Sequence, residues 1–226
     1  MSLVGRKPRP LSRGIGSFRD DRLFIIACDD TYAPKQYFNF FKISRVQIHV
    51  VETTDGTSAA PQVLERLLEV DHEEDDELWM LLDVDHCGQG RHLQSFMYAI
   101  ADAKRKGVNV ALSKPCFELW LLLHHIDESQ AGKLGNAKDV ERALRKSLGE
   151  YNKTRLKQEH FPLASVCEAY KRAANLDRAV KGGDIPASNT TRVYKIWKSI
   201  VDKALPSQLP EEILAVLAPS SPPLLS

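Results

Sequence analysis

Strand-like and helix-like segments alternate along the first 126 residues, and this alternation constrains the fold more than any other sequence feature. Segments with the apolar or alternating pattern of β-strands are each followed by a segment whose apolar residues have helical spacing. The sequence predicts strands at 23–28, 45–51, 78–85 and 108–113, and helices at 33–43, 57–70, 91–106 and 115–125. Such an order predicts an α/β fold with a mostly parallel sheet and helices on both faces.

The chain beyond residue 126 is more polar, and its patterning is helical. It predicts helices at 138–148, 161–181 and 190–203. Thr57 or Ser58 is expected to cap the helix at 57–70, and Ser188 or Asn189 the helix at 190–203. The predicted organisation is a basic flexible arm at 1–19, an α/β core at 20–126, a helical region at 127–204 and a Pro-rich, mostly disordered tail at 205–226.

Charge and cysteine content exclude several classes of protein. The 226 residues include 31 basic and 30 acidic ones, so the net charge of +1 gives no overall attraction to nucleic acid or membrane. The four cysteines lack a CxxC pair, which argues against a zinc ribbon or a disulfide framework. The chain shows neither an apolar run long enough to span a membrane nor a signal-peptide pattern, so we expect a cytoplasmic protein.

The densest basic patch lies in the N-terminal arm. Its residues Arg6, Lys7, Arg9 and Arg13 could follow a nucleic-acid backbone. An ordinary solvated tail is the alternative.

Acidic residues directly follow two of the predicted strands. Asp29 and Asp30 end the first strand, and Asp83 and Asp85 end the third in the sequence LWMLLDVDHCG. Alternate residues of a strand share a face, so Asp83 and Asp85 would repel each other unless a cation or a shared proton offsets their charges.

If the two strands are neighbours, these carboxylates meet where open α/β sheets bind ligands. Oxygen ligands favour Mg²⁺ or Mn²⁺. A lone aspartate after a strand more often caps a turn, which is the alternative.

Several segments together resemble the RloB-like family. The resemblance is in register from about residue 20 to 200 and rests on LFIIACDDTYAPKQYF, TSAAPQVLERLLE, LWMLLDVD, VALSKPCFELWLLLHH and PASNTTRVYKIW. It implies a Toprim-type domain, the metal-binding fold of topoisomerases, primases and OLD-family nucleases. It also implies a gene that lies beside one for a large ATPase in a restriction or phage-defence locus.

The resemblance further implies the residues of a metal site. The family's first-strand glutamate falls at Asp29, and its D-x-D pair falls at Asp83 and Asp85. Asp29 is one methylene shorter than glutamate, and Asp30 replaces a glycine of the family pattern while being a further candidate ligand. A catalytic carboxylate displaced by about a bond length can cost roughly 100-fold in rate. Metal binding is therefore expected more firmly than full catalytic competence.

Two further candidates are Lys114, at the end of the fourth strand, and Glu118, which opens the helix after that strand. Glu118 would be an outer ligand, or simply a first-turn glutamate favoured by the helix dipole. Lys114 would contact a phosphate, or be an ordinary solvated lysine.

The leading hypothesis is a Mg²⁺- or Mn²⁺-dependent nuclease acting on DNA or RNA, transfer RNA included, in a bacterial anti-phage system with an ABC- or AAA-type ATPase partner. One alternative is a catalytically weakened or inactive interaction subunit of that ATPase. It would dock through the apolar stripe at 193–201 or the segment 211–217. Ordinary packing of these segments on the protein's own core is the other interpretation of them. A second alternative is a nucleotide-binding or receiver-like domain. The sequence lacks the glycine-rich Rossmann and P-loop motifs.

Overall fold

The computed structural model describes residues 22–30, 32–51, 53, 57–84, 91–180, 183–204, 207 and 209–217. The basic residues Arg6, Lys7, Arg9 and Arg13 of the predicted arm lie outside these ranges, and so does Asp85. The expectations placed on them therefore stay predictions.

The helices and strands follow the predicted alternation. The strands are β1 (Arg22–Cys28), β2 (Val46–Val51), β3 (Glu77–Asp83), β4 (Asn109–Lys114) and β5 (Thr190–Thr191). The helices are α1 (Ala33–Asn39), α2 (Ala60–Leu68), α3 (Arg91–Arg105), α4 (Glu118–Leu123), α5 (Glu128–Ala131), α6 (Ala137–Leu148), α7 (Leu163–Ala179), α8 (Val193–Lys203) and α9 (Glu211–Leu217). A 3₁₀ turn at Gln158–His160 precedes α7.

The described strands form one sheet in the order β2-β1-β3-β4-β5. The first four are parallel, and the short β5 pairs antiparallel with β4. The predicted α/β fold with a mostly parallel sheet is confirmed. The chain leaves β1 for β2 on one side and then crosses to β3 on the other side of β1. The carboxyl ends of β1 and β3 therefore flank the point where the strand order reverses, the usual ligand crevice of such sheets.

Helices cover both faces of the sheet, as the sequence predicts. On one face α2 and α3 bury apolar side chains such as Leu67 and Phe96 against Ile25. On the other face the aromatic residues of α1, α4 and α8 surround Phe24 and Ile26. Both faces of β1 are buried because successive side chains alternate between the two layers.

Helix α3 ends where the sequence predicts. Gly107 follows its last turn with φ +74°, a left-handed conformation that other residues adopt only with strain.

The expected helix caps are wrong, and the structure shows why. Helix α2 begins after Ala59, which makes no capping hydrogen bond through its side chain. The carbonyl and hydroxyl oxygens of Thr57 instead accept hydrogen bonds from Arg66 at 2.8 and 2.9 Å. Helix α8 begins after Arg192, because the two residues before it pair with β4 as β5. Asn189 lies further upstream and donates its amide to the Leu134 carbonyl at 2.6 Å.

The C-terminal helices pack on the protein's own core. The apolar stripe of α8 is fully buried, and Ile213 of α9 is buried against the same cluster. Residues 211–217 thus form a packed helix inside the stretch 205–226, for which the sequence predicts mostly disorder. The buried stripe of α8 does not offer the exposed apolar face that the docking hypothesis needs.

Two smaller observations concern the whole described chain. Cys28, Cys116 and Cys167 are free and buried, where cysteine acts as a small apolar residue. None of the helices within the described ranges has the length and apolar character needed to cross a membrane.

Candidate metal centre

Asp29 and Asp83 lie side by side at the carboxyl edge of the sheet. Asp29 directly follows β1, and Asp83 is the last residue of the neighbouring strand β3. The Asp29 amide donates to the Leu81 carbonyl at 3.4 Å, and the Asp83 amide donates to Asp29 Oδ2 at 2.8 Å. The predicted convergence of these two strand ends is therefore present at the crevice where the strand order reverses.

Both carboxyl groups resist ionisation in this position. Burial raises the pKa of Asp29 to about 7; the hydrogen bond from the Asp83 amide opposes this rise, and the nearby Asp30 carboxylate adds to it. Burial also raises the pKa of Asp83 well above its ordinary value, and the charges of Asp29 and Glu118 add to the shift. Without a counter-charge, the cluster therefore favours protonated carboxyls over carboxylates.

One carboxyl oxygen of this pair lacks a partner. Asp83 Oδ1 is buried and accepts no hydrogen bond from the described part of the protein. A buried polar atom without a partner costs about 1–3 kcal/mol, and more when it is charged. A bound cation, or a proton, would remove this cost.

Glu118 approaches the pair from the first turn of α4. Its Oε1 accepts a hydrogen bond from the Tyr151 hydroxyl at 2.9 Å, and its charge raises the pKa of Asp83. Burial and the Glu118 charge raise the pKa of Tyr151, so the phenol remains a donor. Tyr151 is thus part of the site, although it lies 33 residues further along the chain in a segment without a recognisable motif.

Asp30 and Lys114 are near the same edge but are engaged in local structure. Asp30 Oδ1 accepts a hydrogen bond from the Tyr32 amide at 2.7 Å, which closes the turn into α1. The Lys114 ammonium donates to the carbonyl oxygens of Pro186 and Ala187 at 3.2 and 3.0 Å. A role of Asp30 as a ligand, or of Lys114 as a phosphate contact, requires these bonds to be shared or exchanged.

Arg66 is a cation at this edge that the sequence analysis missed. Its side chain extends from α2, which covers the sheet face opposite to α1. Its Nη2 donates to the Cys28 carbonyl at 3.4 Å. Its pattern in the segment LERLL is that of the polar face of an amphipathic helix, so the sequence contains no signal for its position near Asp29.

The donor atoms fit a magnesium-type cation. No three side chains of the types His, Cys, Asp and Glu are arranged as a metal cage in the ranges that the structure describes. Mg²⁺ often uses only one or two protein carboxylates and completes its shell with water and substrate phosphate. Asp29 and Asp83 supply such a pair, and the unpartnered Asp83 Oδ1 would accept either a cation or a proton.

Comparison with known proteins identifies the family. No curated protein and no solved structure is significantly similar to the chain. A family model described as RloB-like protein matches residues 24–200, from β1 into α8. The matched range includes Asp29, Asp83 and Glu118, which build the site described above. The chain therefore belongs to the RloB-like protein family.

Proposed function

We propose that the protein is a divalent-metal-dependent nuclease that hydrolyses phosphodiester bonds at the edge formed by β1 and β3. The observation that supports this most strongly is the pairing of Asp29 with Asp83, whose Oδ1 is buried without a partner. Asp29, Asp83 and, outside the described ranges, Asp85 would hold Mg²⁺ or Mn²⁺. The bound ion would activate a water molecule and stabilise charge on the scissile phosphate.

The chain's own residues would position and retain that site. The Asp83 amide fixes Asp29 through its hydrogen bond, so the orientation of one carboxylate depends on the backbone of the other strand. Tyr151 fixes Glu118, which is then available to orient a metal-bound water or to complete the ligand shell. Asp29 and Asp83 are partly buried, and electrostatic interactions with the phosphate are stronger there than in bulk water.

Membership of the RloB-like family supports a proposal about the wider setting. We propose that the nuclease acts in bacterial defence against phage and that a large ATPase controls it, on DNA or RNA substrates including transfer RNA. Coexpression with the ATPase encoded beside it, followed by copurification, would test the partnership.

One contact favours a second candidate function. Asp29 replaces a longer glutamate, and its Oδ2 is already occupied by the Asp83 amide. The carboxylate could then serve only to join the two strands, and the protein would be a weakened or inactive subunit that acts through its partner. Metal titration separates the two possibilities.

Removing either carboxylate is expected to abolish metal binding and cleavage. The measurement is a calorimetric titration of Mn²⁺ into wild type, Asp83→Asn and Asp29→Asn, with cleavage of labelled DNA and RNA in parallel. Loss of even an outer-shell partner commonly costs 10–100-fold in metal affinity, so each variant should lose at least about 10-fold. Cleavage should fall at least about 100-fold.

Asp202→Asn is the matched control, because Asp202 is an exposed aspartate of α8 that is paired with Lys198. It should bind Mn²⁺ and cleave as wild type does. Loss of binding in Asp83→Asn but not in Asp29→Asn would support the weakened subunit. Absence of Mn²⁺ binding to wild type would refute the nuclease proposal.

A further inference from the structure

The loop that follows α6 lies beside the acidic edge and is basic. It carries Tyr151, which contacts Glu118, and two exposed cationic residues, Lys153 and Arg155. The sequence analysis did not single out this loop, because its basic residues are interrupted by polar ones.

Specific hydrogen bonds hold the loop against α1. Gln36 donates its side-chain amide to the Lys153 carbonyl at 2.8 Å and accepts a hydrogen bond from the Leu156 amide at 2.8 Å. Gln158 donates to the Phe40 carbonyl at 3.1 Å at the other end of α1. Since α1 begins shortly after Asp29 and Asp30, these bonds fix the basic loop close to the candidate metal centre.

Tyr32 is an exposed aromatic residue at the same place. Its side chain is 48% exposed, whereas most large apolar side chains among the described residues are buried. Its amide is held by Asp30, and the Lys153 ammonium lies 6.0 Å from the centre of its ring. One face of an aromatic ring beside a cation is the usual platform for a base of a single strand.

Lys153 and Arg155 differ from their neighbour Lys157 in whether they form an ion pair with an acidic side chain. Lys157 forms an ion pair with Glu150. Neither Lys153 nor Arg155 forms an ion pair with any acidic group in the part of the chain that the structure describes. A cleft of about 360 Å³ opens next to Arg155 and is lined by Tyr151 as well. The loop thus offers positive charge directly beside a site proposed to bind phosphate.

We infer that the substrate binds as an unpaired strand, with one base stacked on Tyr32 and the adjoining phosphates contacted by Lys153 and Arg155. This inference rests on the proposed nuclease function and specifies its substrate class. A base can stack on a side chain only when it is free of its own neighbours, which excludes a regular duplex at this position.

Fluorescence anisotropy in EDTA measures the binding of labelled oligonucleotides of about 12 nucleotides, which tests the inference without any cleavage. Single-stranded DNA, single-stranded RNA and the duplex of the same sequence are compared. Tyr32→Ala should weaken binding of the single strand by about 10-fold, the usual effect of losing one stacked base. Tyr32→Phe should retain it. Tyr98→Ala is the control, because Tyr98 is a 65% exposed tyrosine of α3.

Salt dependence tests the two cations. The double variant Lys153→Ala/Arg155→Ala should reduce the slope of log affinity against log salt by about 1.4, because each neutralised phosphate of a single strand contributes about 0.7 to that slope. The control is Arg105→Ala/Lys106→Ala. It removes the same charge from the end of α3, which leads into the amino end of β4 at the opposite edge of the sheet.

The outcomes separate this inference from the nuclease proposal. Tight single-strand binding that depends on Tyr32, in a protein that never cleaves, would support the inference while refuting the nuclease proposal. Equal binding of the duplex, or no effect of Tyr32→Ala, would overturn the inference whatever the cleavage assay shows. A preference for single-stranded RNA over single-stranded DNA, or the reverse, would support the inference and show which of the two nucleic acids is the substrate.

Discussion

Replacing Trp197 with alanine is expected to lower the free energy of unfolding by about 3–5 kcal/mol. Trp197 lies on α8 and is fully buried. Its ring centre is 6.4 Å from that of Phe38 on α1 and 4.9 Å from that of Phe41, which lies just after α1. The substitution would leave a large cavity between the helical region and the sheet. Urea denaturation followed by far-ultraviolet circular dichroism measures the loss.

The loss should be comparable to a large part of the total stability, since domains of this kind are stable by about 5–15 kcal/mol. Tyr98→Ala, which removes an exposed aromatic residue, should change stability by less than about 0.5 kcal/mol. A loss below about 1 kcal/mol for Trp197→Ala would show that the interface between α8 and α1 is loosely packed. Two separate transitions in wild type would show that the helical region unfolds independently of the sheet.

The parts of the fold that the sequence predicts are those set by local pattern. The apolar run 23–28 and the alternating run 45–51 have no alternative to strands of a covered sheet, and both appear in the structure. The acidic residues at the strand ends are predicted to meet if the first and third strands are neighbours. The sheet order satisfies that condition, so Asp29 and Asp83 are identifiable from the sequence.

The features that the sequence could not predict depend on contacts between distant segments. The pairing of Thr190 and Thr191 with β4 makes a strand of the two residues that the sequence predicts as the start of the helix 190–203. Tyr151 reaches Glu118 only because the loop after α6 folds back onto α1, and Arg66 reaches Cys28 only because α2 crosses the sheet there. None of these residues has a local pattern that differs from an ordinary polar loop or helix face.

Asp83→Asn is expected to stabilise the metal-free protein at pH 8 while it abolishes metal binding. In wild type two buried carboxyls must ionise close together, and the amide of asparagine removes one charge at nearly the same volume. Because burial and the neighbouring charges disfavour the Asp83 carboxylate, its removal is expected to stabilise the folded protein. The gain appears as a higher Tm of Asp83→Asn than of wild type, measured by thermal denaturation in EDTA.

The gain should depend on pH in a direction fixed by the pKa shifts. Folding raises the pKa of Asp29 to about 7 from 3.8 and raises that of Asp83 as well. The stability that these two carboxyls contribute is therefore fully present below about pH 4 and is lost as the pH rises through about 7. The advantage of Asp83→Asn, and equally of Asp29→Asn, should vanish in acid and be largest above pH 7.

Asp177→Asn is a control, because its expected change in stability at pH 8 is opposite in sign to that of Asp83→Asn. Burial opposes ionisation of Asp177, but hydrogen bonds from Arg192 at 3.0 Å and Tyr194 at 2.8 Å outweigh it and lower its pKa. That carboxylate stabilises the folded protein above its unfolded pKa, and the contribution is lost as the pH falls. Asp177→Asn should therefore lower Tm at pH 8 and have little effect in strong acid.

Mn²⁺ should reverse the order of stability at the candidate metal centre. At 100 times its dissociation constant a ligand stabilises the folded state by about 2.7 kcal/mol. Wild type should then exceed Asp83→Asn at pH 8, although it is the less stable protein in EDTA. If Asp83→Asn were less stable than wild type in EDTA at pH 8, the Asp83 carboxylate would already have a favourable partner, and its role as a destabilised ligand would be wrong. A metal site requires this inversion, because the repulsion that destabilises the free protein becomes an attraction for the cation once it binds.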